Sequence, residues 1–257
     1  MADTQSSSEN PFHSSETGHG HHGRPLWLKA LLFFAIVLLP VAVIAVLLLP
    51  AGRTGRGVPD AAICAGNVRQ ISLALINYRE VHGVFPPAYT VDEEGNPLHS
   101  WRTLILPYLE QMELYDQIDL TKPWDDPVNA DARKANVWIY QCPAESSDVS
   151  THTNYVAVVG DDCIFSGSTP CNLAEITDLL SETLLVVEVN NQTIEWMEPR
   201  DISLQELLKL PGEGHLPHSR SIHVGYADGS VAQVDTDFAS KTLRVMATKA
   251  GEEKINE

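Results

Sequence analysis

The pattern of apolar and polar positions divides the chain into blocks of different kinds. Residues 1–24 are rich in Ser, Gly and His with almost no apolar content, so they cannot bury enough surface to fold and are expected to form a disordered tail. From Ala30 to Gly52 there is no charged residue, and the segment "LWLKALLFFAIVLLPVAVIAVLLLP" supplies the roughly 20 apolar residues that a bilayer-spanning helix needs. A transmembrane helix is therefore expected over 26–49. The apolar run exceeds the roughly 7–15 residues of a cleaved signal peptide, which favours an uncleaved anchor. Pro40 is expected to kink that helix, a disturbance membranes tolerate. Residues 50–60, "PAGRTGRGVPD", read as a Gly/Pro/Arg linker.

Beyond the linker the period changes. "DAAICAGNVRQISLALINYREVHG" places Ile63, Ile71, Leu75, Tyr78 and Val81 near helical spacing, which predicts an amphipathic helix of about 20 residues that needs another element to cover it. Gly83 and Pro86-Pro87 end it. A turn around Glu94-Gly95-Asn96 and helical turns from Ser100 to about Ile118, interrupted by Pro107, follow. The later half is a series of short β-rich runs: "NVWIYQC", "NYVAVVG", "TLLVVEV", "TIEWM", "SIHVGYA" and "SVAQV". Helix first and strands afterwards predict an α+β domain over 61–240, an amphipathic helix packed on an antiparallel β-sheet, with a charged C-terminal tail over 241–257. Asp228-Gly229, between the last two runs, is a pair suited to a two-residue type I′ hairpin, whose central positions need positive φ.

Charge and cysteines sharpen the placement. From Val58 onward there are 13 Lys+Arg against 31 Asp+Glu, a net charge of −18, and so acidic a body is repelled by nucleic acid. Flanking charge does not orient the membrane segment, because Arg24 and Lys29 on one side are matched by Arg53 and Arg56 on the other. All four cysteines follow that segment, and an even number in one soluble region suits a disulfide-permitting compartment. The expectation is a single pass of the cytoplasmic (inner) membrane with the C-terminal domain outside the cytoplasm.

Candidate chemistry is sparse. His215, His218, His223 and Asp228 form the best metal-like cluster, but residues five apart on an extended strand point to opposite faces, so His218 is expected to have a structural role, fixing the hairpin or its preceding loop. Asp92, Glu93, Glu94 and Asn96, and separately Asp161 and Asp162, offer hard oxygens to calcium without EF-hand spacing. No Gly-x-Ser-x-Gly elbow, P-loop or Gly-x-Gly-x-x-Gly occurs, and no cysteine lies in a nucleophile motif. No catalytic residue or resident cofactor is expected, and the chain does not read as an enzyme.

"CAGNVRQISLALINYREVHGVFPPAY", "HSWRTLILPYLEQMELYDQIDLTKPWD", "IYQCPA", "TNYVAVVG" and the spacing of His218 to Asp228-Gly229 together resemble the bacterial domain-of-unknown-function family 1559. That family carries an H-x9-DG signature associated with prepilin-type proteins and is similar to pseudopilins of type II secretion. The resemblance implies a pilin-like fold, an N-terminal helix laid over an antiparallel sheet in the cell envelope. One feature departs from it: Gly23 is followed by "RPLWLKALLF", without the Phe-Thr-Leu-x-Glu of a prepilin processing signal. Disulfides are expected between Cys163 and Cys171, whose intervening "IFSGSTP" can turn back on itself, and, from the helix-on-sheet arrangement the resemblance implies, between Cys64 and Cys142. The functional expectation is a membrane-anchored pseudopilin-like structural or protein-interaction module whose partners are the bilayer and other envelope proteins. The alternative is an envelope receptor for a small ligand or divalent metal, favoured by a pocket lined by His218, Trp101 and Arg102, whereas an exposed apolar helix stripe favours assembly.

Overall fold

A computed structural model describes residues 25–48, 60–143, 150–189, 193–209, 221–235 and 239–251. The expected tail at 1–24, residues 50–59 of the expected linker and residues 252–257 of the expected C-terminal tail at 241–257 lie outside these residues, as do His215 and His218. The chain divides into two units, Met1–Arg56 and Gly57–Glu257.

The first unit contains α1 (Leu26–Leu48), with Pro40 inside it. Large apolar side chains are exposed along it, among them Leu26, Trp27, Phe33, Ile36 and Leu39. Among the described residues no helix is long and apolar enough to cross a membrane; the side chains of α1 are described only as far as Val41.

The second unit is α+β. It begins with α2 (Asp60–His82), with Asp60 in the first turn and Arg79 and His82 in the last, charges that complement the helix dipole. Gly83, at φ +79°, ends it by donating its backbone N–H to the Arg79 carbonyl, a left-handed stop that glycine adopts without steric cost. Next come β1 (Val84–Phe85), the hairpin of β2 (Tyr89–Val91) and β3 (Pro97–Ser100), and three short helices, α3 (Trp101–Leu104), α4 (Met112–Tyr115) and α5 (Ala130–Arg133). Pro107 lies inside a 3-10 turn between α3 and α4. Then follow β4 (Tyr155–Val156), β5 (Val158–Val159), β6 (Cys171–Asn172), β7 (Leu184–Glu188), β8 (Ile202–Ser203), α6 (Leu204–Lys209), β9 (Ser221–Tyr226), β10 (Val231–Asp235) and α7 (Ala239–Ala247).

The main sheet has the order β10-β9-β7-β4 and is antiparallel throughout. Two apolar clusters lie against it. Val68, Ile71, Ala74 and Leu75 of α2 join Val186 and Ala227 in one, while Val187, Ile222 and Val224 join Leu207 of α6 and Leu243 and Ala247 of α7 in the other. Successive side chains alternate across a strand, so Glu188 shares the α2 side with Val186, and His223 and Gly225 share it too. The helix comes close: a Cβ on Gly225 would stand 2.1 Å from Ser72 Oγ and 3.0 Å from a Val68 methyl.

Several local expectations are corrected. Ile71 and Leu75 of the expected α2 stripe are buried and are joined by Cys64 and Val68, while Ile63 and Val81 at its ends are exposed. "NVWIYQC" is a 3-10 turn at Trp138–Tyr140, because its carbonyl at Tyr140 is taken by the Asn154 N–H of a loop rather than by a strand ladder. "TIEWM" contributes an isolated bridge between Glu195 and His152. The Asp228-Gly229 turn is not a two-residue type I′ loop. Gly229 has φ +84° and Asp228 is not among the positive-φ residues, and Gly229 N–H donates to Tyr226 O while Tyr226 N–H donates to Ser230 O. This is a three-residue loop closed by a left-handed glycine, the other common way to join antiparallel strands. The domain also extends past 240, since α7 buries Leu243 and Ala247 and the Thr177 N–H donates to the Lys249 carbonyl.

Candidate functional site

Polar groups buried in a core need partners, and two buried clusters stand out. The first surrounds Arg102 in "HSWR". Its side chain is fully buried, and its donors reach the Asp201 carboxylate at 2.6 Å and the carbonyls of Trp196, Glu198, Arg200 and Tyr155. Trp101 Nε1 donates to the second Asp201 oxygen at 3.0 Å. Burial pushes the Asp201 carboxyl up, and Arg102 opposes that shift. With its guanidinium used on structural acceptors and Trp101 fully buried, this pair fastens the loop around 196–201 to α3.

The second cluster lies between α2 and the sheet. Cys64 and Asn67 project from α2; Cys142 follows the 138–140 turn; Tyr155 stands on β4, Glu188 ends β7 and His223 is within β9. All six are buried. Asn67 Nδ2 donates to the Gln141 carbonyl at 3.1 Å and to the Tyr155 hydroxyl at 3.3 Å. Asn154 clips the loop in place, its Oδ1 accepting from the Cys142 N–H at 2.8 Å and its Nδ2 donating to the Val189 carbonyl. Glu188 Oε2 meets His223 Nδ1 at 2.6 Å and also accepts the His223 backbone N–H. The Cys64 thiol points at Cys142 Sγ, 2.7 Å away. That hydrogen bond and then burial push the Cys64 thiol far up, and burial does the same to the Tyr155 hydroxyl. Both hold their protons at neutral pH. Cys64 Sγ, Cys142 Sγ and a Glu188 oxygen lie within 4.8 Å of one another, the one group among the described residues able to hold a metal ion.

The expected site residues fare differently. Asp228 accepts the Ser230 N–H at 2.8 Å and its hydroxyl at 2.6 Å, bonds that hold its carboxyl below the usual range; it shapes the turn and is not gathered with His223, five residues away along β9. Asp92 caps its own turn, accepting from Glu94 and Asn96, and Asp161 and Asp162 are exposed. None of these belongs to a metal-holding group among the described residues. Cys64 and Cys142 do meet, as expected, but no disulfide joins any of the four cysteines. Cys163 and Cys171 belong to different apolar clusters, Cys163 behind the sheet with Val158 and Cys171 paired to Phe85 on the α2 side, which separates their side chains despite the short loop between them.

Glu188 and His223 were missed as a pair. The signal was present in each half: one acid inside "TLLVVEV" and one imidazole inside "SIHVGYA", each interrupting an apolar strand.

An exposed feature lies on α2. Leu73 and Trp138, 42% and 57% exposed, border a cavity of about 410 Å³ completed by Gln70, Asn77, Tyr108 and Glu110. Glu110 is the one non-glycine residue with positive φ among the described residues.

No curated protein and no solved structure matches the chain. Residues 61–162, which carry Cys64, Asn67, Arg102, Cys142 and Tyr155, match the model of the family described as a protein of unknown function (DUF1559).

Proposed function

We propose that the protein is a membrane-anchored, extracytoplasmic, pseudopilin-like interaction module without catalytic activity. The observation that carries the interaction role is the apolar surface of α2 at Ile63 and Leu73: both are exposed, Leu73 borders the cavity with Trp138 and Ile63 lies beside Trp138 as well, while another stripe of the same helix packs on the sheet. An exposed apolar helix stripe of this kind marks an assembly face. The anchor is the apolar segment 26–49, supported by the uncharged sequence from Ala30 to Gly52 and by the exposed apolar side chains described along it. The receptor alternative loses the pocket it called for, since Trp101 and Arg102 are buried.

The test joins two reporters, one active only in the cytoplasm and one only outside it, after residue 257, and crosslinks neighbours in the intact envelope through a photoreactive residue at position 73. Activity of the outside reporter and crosslinks lost on Trp138→Ala are expected. Activity of the cytoplasmic reporter overturns the topology, and crosslinking indifferent to position and to Trp138 overturns the assembly face.

A further inference from the structure

We propose that Cys64, Cys142 and Glu188 bind a thiophilic divalent cation such as Zn²⁺, with His223 as the residue that positions the carboxylate. The proposal goes beyond that reading and requires Cys64 and Cys142 to be reduced where the metal binds. Two sulfurs and one carboxylate oxygen are the ligand types zinc selects, and three protein ligands leave one coordination position open. The three ligands come from three separate elements, α2, the loop after the 138–140 turn and β7, and converge in a space closed to solvent. Each is held from behind. Cys64 is fixed by its helix, Cys142 by the Asn154 clip at 2.8 Å, and Glu188 by two donors from His223, one at 2.6 Å. Carboxylates that ligate metals are commonly oriented by such a hydrogen bond, and losing it lowers affinity about 10–100-fold.

The charge balance follows from the same residues. Without metal the site holds two thiols and the Glu188–His223 pair. Binding converts both thiols to thiolates, so Zn²⁺ enters, two S–Zn bonds form, and two protons leave to solvent; nothing is oxidised or reduced. Zn–S bonds near 2.3 Å in tetrahedral geometry set the sulfurs about 3.7 Å apart, so the pair opens by roughly 1 Å from its present 2.7 Å. Cys142 lies in a loop, next to Pro143, and supplies that movement more readily than Cys64 in its helix.

The experiment uses the full chain purified in detergent under reducing conditions, stripped with a chelator and titrated with Zn²⁺ and, in parallel, with Co²⁺. One equivalent of bound metal, release of about two protons per ion, and a sulfur-to-cobalt charge-transfer band are expected. Cys64→Ser and Cys142→Ser should each reduce that band by about half and lower affinity at least tenfold, and the double variant should abolish it. His223→Gln should weaken binding about 10–100-fold while the band persists. Should the variants fail to fold, the wild-type cobalt spectrum still decides, since it needs no substitution. Absence of the thiolate band from protein whose four thiols titrate as reduced, a band of unchanged intensity in Cys64→Ser or one that survives in the Cys64→Ser/Cys142→Ser double variant, or a Cys64–Cys142 crosslink in peptides from chain isolated with its thiols trapped at lysis would each overturn the proposal.

Discussion

Replacing Gly225 by alanine tests how closely α2 lies on the sheet. The added methyl would stand 2.1 Å from Ser72 Oγ, 3.0 Å from Val68 Cγ1 and 3.4 Å from Ser72 Cβ. The last is ordinary contact; the first requires movement. Ser72 Oγ is buried and has no hydrogen-bond partner among the described residues, so rotating it away breaks no bond, but the well-packed surroundings of Val68, Ile71 and Leu75 leave it little room. Overpacking of this kind costs about 1–3 kcal/mol, which in a domain of this size lowers the melting temperature by about 2–4 °C per kcal/mol. Ser72→Ala alone removes an unsatisfied buried hydroxyl and should be neutral or stabilising by up to about 1 kcal/mol. In the double variant the worst contact disappears, so a favourable coupling of about 1–2 kcal/mol is expected from a double-mutant cycle in urea. A Gly225→Ala cost under about 0.5 kcal/mol, or additivity of the two changes, refutes the close approach.

Arg102→Met leaves the Asp201 carboxylate buried without its cation and should cost about 3–5 kcal/mol in urea unfolding, whereas Arg133→Met, whose partner Glu195 is 3.9 Å away and half-exposed, should cost under about 1 kcal/mol. Gly229→Ala forces a methyl into left-handed backbone and against Ile76 and Leu73, so a loss of about 1–2 kcal/mol is expected by the same measurement. Burial lowers the His99 pKa below 6.5, so the folded state resists the proton that the unfolded state accepts. The stability this contributes is complete above pH 6.5 and declines as pH falls below it. His99→Gln should flatten the fall in urea midpoint between pH 7.5 and 5.5, and an unchanged slope would remove His99 as its cause.

The helix of 60–82, its stop at Gly83 and the antiparallel sheet were legible in the sequence because local periods and turn residues state them, whereas the meeting of Cys64 with Cys142 followed only from the helix-on-sheet arrangement that the family resemblance implies. What was not legible depended on which face another element chose. Ile63 and Val81 have the spacing of a buried stripe, but the sheet settled on Cys64 and Val68. Asp228-Gly229 suits two loop geometries, and only the ladder register between β9 and β10 selects the three-residue one. Glu188 and His223 each break an apolar run, a sign that a polar group is to be satisfied inside, yet they are 35 residues apart and neither strand names the other. The pairing of Cys163 with Cys171 failed for the complementary reason: seven intervening residues permit closure, but Cys171 on β6 pairs with Phe85 in one apolar cluster while Cys163, in a bend, joins the other.

The Arg102 network also sets an order of events. Its acceptors lie 53 to 99 residues further along the chain, so nothing near it in sequence can satisfy the guanidinium. At synthesis rates of about 5–20 residues per second, some seconds pass between the emergence of Arg102 and that of Asp201. Through that interval the segment "HSWRTLILPYL" remains without its final covering, and the closure of so long a loop falls late on the folding path. The last clasp of the domain therefore cannot fasten until most of its chain has been made.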